Sequence, residues 1–176
     1  MNNKVPSRET CLALMKSAKM PEHIMSHSFV VEEVSTIIAR LCIERGYELS
    51  IELVSAAALL HDIAKAKCIE EHCHHAEVGA EIVRAWGYPQ VATIVEEHVS
   101  LSMADIIACP TESLIVNYAD KRVLHDRVVS LDRRFEYLIE RYGTTPQKRN
   151  LLNFKWKLYR KLEARLRQVT ANDLAF

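Results

Sequence analysis

Only four glycines and five prolines interrupt these 176 residues, so long stretches of the chain contain nothing that stops a helix once it has started. Apolar side chains recur at three- and four-residue steps rather than in strict alternation, which is the period of a helix with one buried face. Apolar residues make up 49% of the composition, enough to fill a substantial core in a chain of this length. These features predict an all-α fold, a single-domain bundle over residues 1–176 built of roughly eight helices.

Start and stop signals divide the chain. Ser7 caps a short first helix, Pro21 opens a long second one ending near Gly46, and Ser50 caps a third from Ile51 to about Ala64. A fourth runs from about His75 to Trp86 and stops at Gly87, a fifth from Pro89 to about His98, and a sixth from about Glu112 to His125. Ser130 begins a seventh, with Phe135, Leu138, Ile139 and Tyr142 on one stripe and no site residue expected. Thr145-Pro146 opens the last, carrying Trp156, Tyr159, Leu162 and Leu166. The segments 65–73 and 99–110 read as loops, and the helices of about 130–170 are expected to pack on a core of about 20–130.

Lys plus Arg and Asp plus Glu number 23 each, so no global field draws a polyanion and duplex nucleic acid is not an expected partner. No apolar run approaches membrane-spanning length, and the start MNNKVPSRET lacks the apolar core of a secretory signal, so a soluble, cytoplasmic protein without a membrane partner is expected. The five cysteines are scattered, with no CxxC. That spacing argues against a disulfide framework, and they read mostly as small apolar residues.

Several polar residues stand where apolar ones belong. In the second helix the stripe Ile24, Val31, Val34, Ile38, Leu41 is completed by His27. His61 and Asp62 follow the apolar run Ala56 to Leu60. His75 leads the stripe Val78, Gly79, Ile82, Trp86, and His98 ends the stripe Val91, Ile94, Val95. Asp120 shares a face with Val116, Val123 and Leu124. One histidine on an apolar face is more often a hydrogen-bonded core residue than a ligand. Four histidines and two aspartates pointing inward from separate helices have a common explanation in a metal site between facing helices. A second His-Asp pair, His125-Asp126, lies among Lys121, Arg122 and Arg127 and reads as solvated or as a phosphate-facing rim.

The ordered pattern of His27, then His61-Asp62, then Asp120 resembles the HD-domain superfamily of metal-dependent phosphohydrolases. Leu59-Leu60-His61-Asp62-Ile63-Ala64-Lys65 and Asn117-Tyr118-Ala119-Asp120-Lys121 are similar to its two metal-binding segments, and the resemblance covers roughly residues 20 to 130. His75 and His98 resemble the positions that supply a second ion in binuclear members, including the dinucleoside tetraphosphate and cyclic di-GMP branches. The chain departs from the latter in having no Gly-Tyr-Pro after His98. The resemblance implies an HD-type bundle in which His27, His61, Asp62 and Asp120 hold one ion, Asp62 bridges, and His75 and His98 hold the other.

Imidazole and carboxylate ligands suit divalent Fe, Mn, Co, Ni or Zn. The binuclear relatives favour Fe or Mn, and Mg remains open. One or two ions per chain are expected, activating water and stabilising charge on phosphoryl oxygens, with Asp62 as the bridging catalytic carboxylate. Lys65 lies about one helical turn beyond Asp62, placed to neutralise phosphate or to assist the leaving oxygen. Arg122 and Arg127 are further candidates for binding substrate phosphate. The expected substrate is a nucleotide, whether dinucleoside polyphosphate, cyclic nucleotide or mononucleotide. The alternative is a catalytically inactive nucleotide-binding sensor with the same metal site.

Overall fold

The computed structural model describes residues 4–174. Its helices are α1 (Arg8–Ser17), α2 (Glu22–Glu44), α3 (Ile51–Leu60), α4 (Lys65–Glu71), α5 (His75–Ala85), α6 (Pro89–Glu97), α7 (Met103–Ala108), α8 (Glu112–Arg122), α9 (Leu131–Tyr142) and α10 (Pro146–Val169). Between α8 and α9 a small antiparallel hairpin pairs β1 (Val123–Leu124) with β2 (Arg127–Val128). The fold is an all-α bundle, and the caps read from the sequence are made: the side chains of Ser7, Ser50, Ser130 and Thr145 accept from the backbone N–H groups of Thr10, Leu53, Arg133 and Lys148.

At the centre α2 packs on α3 and α8, burying Val31, Val34 and Ile38 with Val54, Ala57, Ala58, Ile115, Val116 and Ala119. The small residues Ala56, Ala57 and Ala58 let α3 come close to its neighbours. Glu32 is buried on α2 and accepts from Arg8 Nε at 3.0 Å and from Ser55 Oγ at 2.6 Å, so three helices share one satisfied carboxylate. α9 and α10 form an outer layer, in which Phe135 stacks on Trp156 and packs against Tyr159. Each large apolar side chain buried in this way contributes about 1.5–3 kcal/mol.

Four local expectations are corrected. The third helix ends at Leu60, not near Ala64: Ile63 N–H donates to Leu60 O and Lys65 N–H to Asp62 O, tightening residues 61–64 into a turn. The segments expected as loops contain α4 and α7. α4 holds no glycine or proline, and α7 begins with a capping box between Ser102 and Asp105. The sixth helix stops at Arg122 and becomes the hairpin, whose turn puts His125 at φ 56°. Finally, Cys68 and Cys73 form a disulfide: the left-handed backbone at His72 (φ 56°) folds the end of α4 back until their Cα atoms are 4.6 Å apart. Cys11, Cys42 and Cys109 are buried free thiols, and burial pushes them up to about 12, 11 and 12.

Candidate metal centre

The break after α3 lets two consecutive side chains, His61 and Asp62, face one point. His27 reaches that point from the first turns of α2, His75 from the start of α5, His98 from the end of α6, and Asp120 from the last turn of α8. His61, Asp62, His98, His27 and Asp120 are all buried.

Three of the imidazoles are oriented in the same way. Nδ1 of His27 donates to His125 O at 2.8 Å, Nδ1 of His61 to Ala58 O at 2.7 Å, and Nδ1 of His98 to Val95 O at 2.5 Å. A carbonyl only accepts, so each Nδ1 carries the hydrogen and each Nε2 of the neutral ring presents a lone pair to the centre. For His61 and His98 the carbonyl lies three residues back in the same helix. For His27 it comes from the hairpin turn, so the His125 backbone fixes the ring that opens α2.

The Nε2 atoms converge on carboxylate oxygens. His27 Nε2 is 3.0 Å from Asp120 Oδ1. His61 Nε2 is 3.2 Å from Asp62 Oδ2 and 3.8 Å from Asp120 Oδ1. Asp62 Oδ1 lies 3.4 Å from His75 Nε2 and 3.8 Å from His98 Nε2, and these two nitrogens are 3.3 Å apart. Ligand atoms of His27, His61 and Asp120 lie within 4.8 Å of one another, as do those of His61, Asp62 and His98.

This donor set fits a divalent cation. His61 Nε2 is buried with no hydrogen-bond partner, and the lone pair of His27 faces an anionic oxygen at 3.0 Å. Two such atoms at that distance need a shared cation or an added proton. The charges agree. Burial opposes ionisation of Asp62, but the neighbouring His61 and Lys65 outweigh it and hold the carboxyl well below the usual range. Asp120 is likewise held well below that range against burial, by Lys121 and His27. Burial pushes His98 down to about 3 and lowers His75, so both rings are neutral donors.

Cations surround the two aspartates. Lys65 Nζ donates to Asp62 Oδ2 at 2.6 Å, and the carboxylates raise its pKa despite burial. Lys121 bonds to Asp120. Arg134, from α9, comes within 3.9 Å of Asp120 Oδ1. Its side chain is 11% exposed and its Nε has no hydrogen-bond partner.

Two cavities open here. One, of about 230 Å³, reaches His27, and the other, of about 340 Å³, reaches His75, His98 and Asp120. They share Asp62, Lys65 and Ile69 with Arg134, Leu138 and Tyr142 of α9.

All six metal-ligand candidates and Lys65 therefore stand at one place, and Arg122 and Arg127 do not. The Arg122 guanidinium is buried against Val129 O, Tyr118 Oη and Glu163, where it ties α8 to the hairpin and α10. Arg127 is exposed on β2, and neither arginine lines the two cavities. α9, expected to carry no site residue, supplies Arg134, Tyr137, Leu138, Arg141 and Tyr142 to them. These positions fall at i, i+3, i+4, i+7 and i+8, a face that the sequence displays once the core stripe is assigned to Leu131 and Phe135.

The family model described as HD domain matches residues 25–124. An uncharacterized protein of Methanocaldococcus jannaschii is 28% identical over 148 residues, covering 77% of this chain and 86% of that one. Two proteins named tRNA (cytidine(56)-2'-O)-methyltransferase are each also 28% identical. The one from Picrophilus torridus matches 97% of this chain and the one from Thermoplasma volcanium 73%. The matches span only 49% and 40% of those two proteins' own lengths. No solved structure matches.

Proposed function

The chain belongs to the HD-domain family, and on that premise we propose that it is a divalent-metal-dependent phosphohydrolase acting on a phosphoester or phosphoanhydride of a nucleotide. The observation that carries this reading is the convergence of Nε2 lone pairs on Asp62 and Asp120, with their tautomers fixed by backbone carbonyls. His27, His61, Asp62 and Asp120 would hold one ion, and Asp62, His75 and His98 the other; the mixed ligand set suits several divalent ions, and the resemblance to binuclear HD-domain proteins favours iron or manganese. A bound divalent ion lowers the pKa of its water towards neutrality and stabilises charge on phosphoryl oxygens.

The chain's own groups do the rest. The two oxygens of Asp62 face different histidines, as a bridging ligand requires. Lys65 and Arg134 stand between the cavities, placed to bind the phosphate and to neutralise the leaving oxygen. A phosphoryl group at Asp62 has room for a substituent on either side, with Tyr137 and Tyr142 available to a base. Two relatives carry names for enzymes acting on tRNA, so RNA-derived nucleotides belong among the substrates to be tried.

The test is turnover by iron- and manganese-loaded protein across dinucleoside polyphosphates, cyclic nucleotides, and nucleoside mono- and triphosphates. At least one is expected to be hydrolysed, with activity lost in His61→Ala and Asp62→Ala. Elemental analysis of the same preparations is expected to give about two ions per chain, falling in His75→Ala. Inactivity of the metal-loaded protein on the whole panel overturns the reading.

A further inference from the structure

α10 carries eight lysines and arginines against one glutamate, in a chain whose formal net charge is zero. The remainder is therefore net acidic, and positive charge is concentrated on one helix of the outer layer. Lys148, Arg149, Lys157, Arg160 and Lys161 are exposed. Arg160 pairs with Asp132 at 2.7 Å, whereas Lys148, Lys157 and Lys161 have no acidic partner among the described residues.

The same helix exposes aromatic and amide groups. Asn150, Asn153, Phe154, Trp156, Lys157 and Arg160 line a surface groove of about 640 Å³. Trp156 is held in place: one face stacks on Phe135 at an interplanar angle of 3°, the Arg160 guanidinium lies 5.1 Å over the ring, and Nε1 donates to Asp132. Phe154 is 58% exposed, with Asn150 one turn before it and Lys157 one turn after. The groove thus combines an open π face, amides that match base edges, and cations that match phosphates.

We propose that this face of α10 binds folded RNA, with an unpaired base stacked on Phe154 and the adjoining phosphates held by Lys157 and Lys161. Duplex DNA keeps its bases stacked and offers none to Phe154. A membrane surface fits poorly. The apolar face of α10, with Leu158, Tyr159, Leu162 and Leu166, is already buried against the core, and the exposed Leu151 and Phe154 stand among the exposed polar residues Lys148, Asn150, Asn153 and Lys157. No residue of α10 lines the two cavities at the metal centre, so this surface is independent of the proposed hydrolysis.

The test is a fluorescence-anisotropy titration of the full chain with a labelled stem-loop RNA over a range of salt, with duplex DNA and anionic phospholipid vesicles as comparison ligands. The stem-loop is expected to bind more tightly than the duplex. Lys157→Glu with Lys161→Glu should weaken it at least about tenfold and reduce the salt slope by about one for each phosphate no longer neutralised. Phe154→Ala should weaken it about tenfold and Phe154→Trp should keep it. All of these positions are exposed, and helical circular dichroism and metal content should not change. Absence of RNA binding, equal binding of the duplex, preference for vesicles, or affinity unaffected by the substitutions each overturns the proposal.

Discussion

Nδ1 of His61 and Nδ1 of His98 are tied to carbonyls, so the proton each ring can gain or lose sits on Nε2, where burial and the neighbouring carboxylates act in opposite directions. For His61 burial lowers the pKa, but Asp62 and Asp120 more than offset it, and the net shift is upward from 6.5. In the metal-free protein this proton stabilises the fold below the unfolded value, and its contribution is lost as pH rises through the raised folded one. A cation takes the same place. His98, depressed to about 3 by burial and then by His61, has no proton to displace near neutrality. Metal binding should therefore displace a proton from His61 but none from His98 near neutrality, and affinity should rise with pH up to the raised His61 value. Calorimetric titration in buffers of different protonation enthalpy counts the protons. A count near zero contradicts the raised His61.

At the scale of elements, the close approach of α5 to the turn after α3 aims His75. A Cβ at Gly79 would stand 3.2 Å from Val95 Cγ1 and 3.3 Å from Ile63 Cγ2, so glycine sets that spacing. Gly79→Val should cost about 1–3 kcal/mol by overpacking and lower the metal content, because His75 lies one turn away. Chemical denaturation together with elemental analysis measures both, and an unchanged midpoint would show that α5 has slack. α2, α3, α5, α6 and α10 were legible because the apolar period of each agrees with a start or stop signal, in turn Pro21, Ser50, Gly87, Pro89 and Thr145, although α3 stops early at Leu60. α4 and α7 were not, since six or seven residues give too little period to read, and the hairpin was hidden because Val123 and Leu124 continue the helical stripe of α8. Leu138 and Tyr142 of α9 look like core in sequence, yet they border the cavities, because the metal centre occupies the space their face meets.

For the whole molecule, one continuous core runs from Cys11 and Met15 through α2, α3 and α8 to Tyr159 and Leu166, so the bundle does not depend on the metal centre alone. Two buried carboxylates nevertheless share that centre, and the Asp120 charge opposes ionisation of Asp62. Metal at a hundredfold excess over its Kd should stabilise the fold by about 2.7 kcal/mol. In a chain of this length that raises Tm by roughly 5–10 °C, to be read by calorimetry before and after chelation. An unchanged Tm on stripping the metal would mean that no ion is bound between these helices. No helix of the described residues is long and apolar enough to cross a membrane.

The sequence by itself determined what short-range physics controls: helix period, the caps at Ser7, Ser50, Ser130 and Thr145, and polar residues interrupting buried stripes at His27, His61, Asp62, His75, His98 and Asp120. Only the tertiary structure decided what those residues meet. His27 takes its tautomer from the carbonyl of His125, 98 positions away. Arg134 arrives beside Asp120 from α9, while Arg122, two positions from Asp120, turns to Tyr118 and Glu163. Successive residues on a helix point about 100° apart, so nearness in sequence does not place a side chain at a site, and packing of distant helices does.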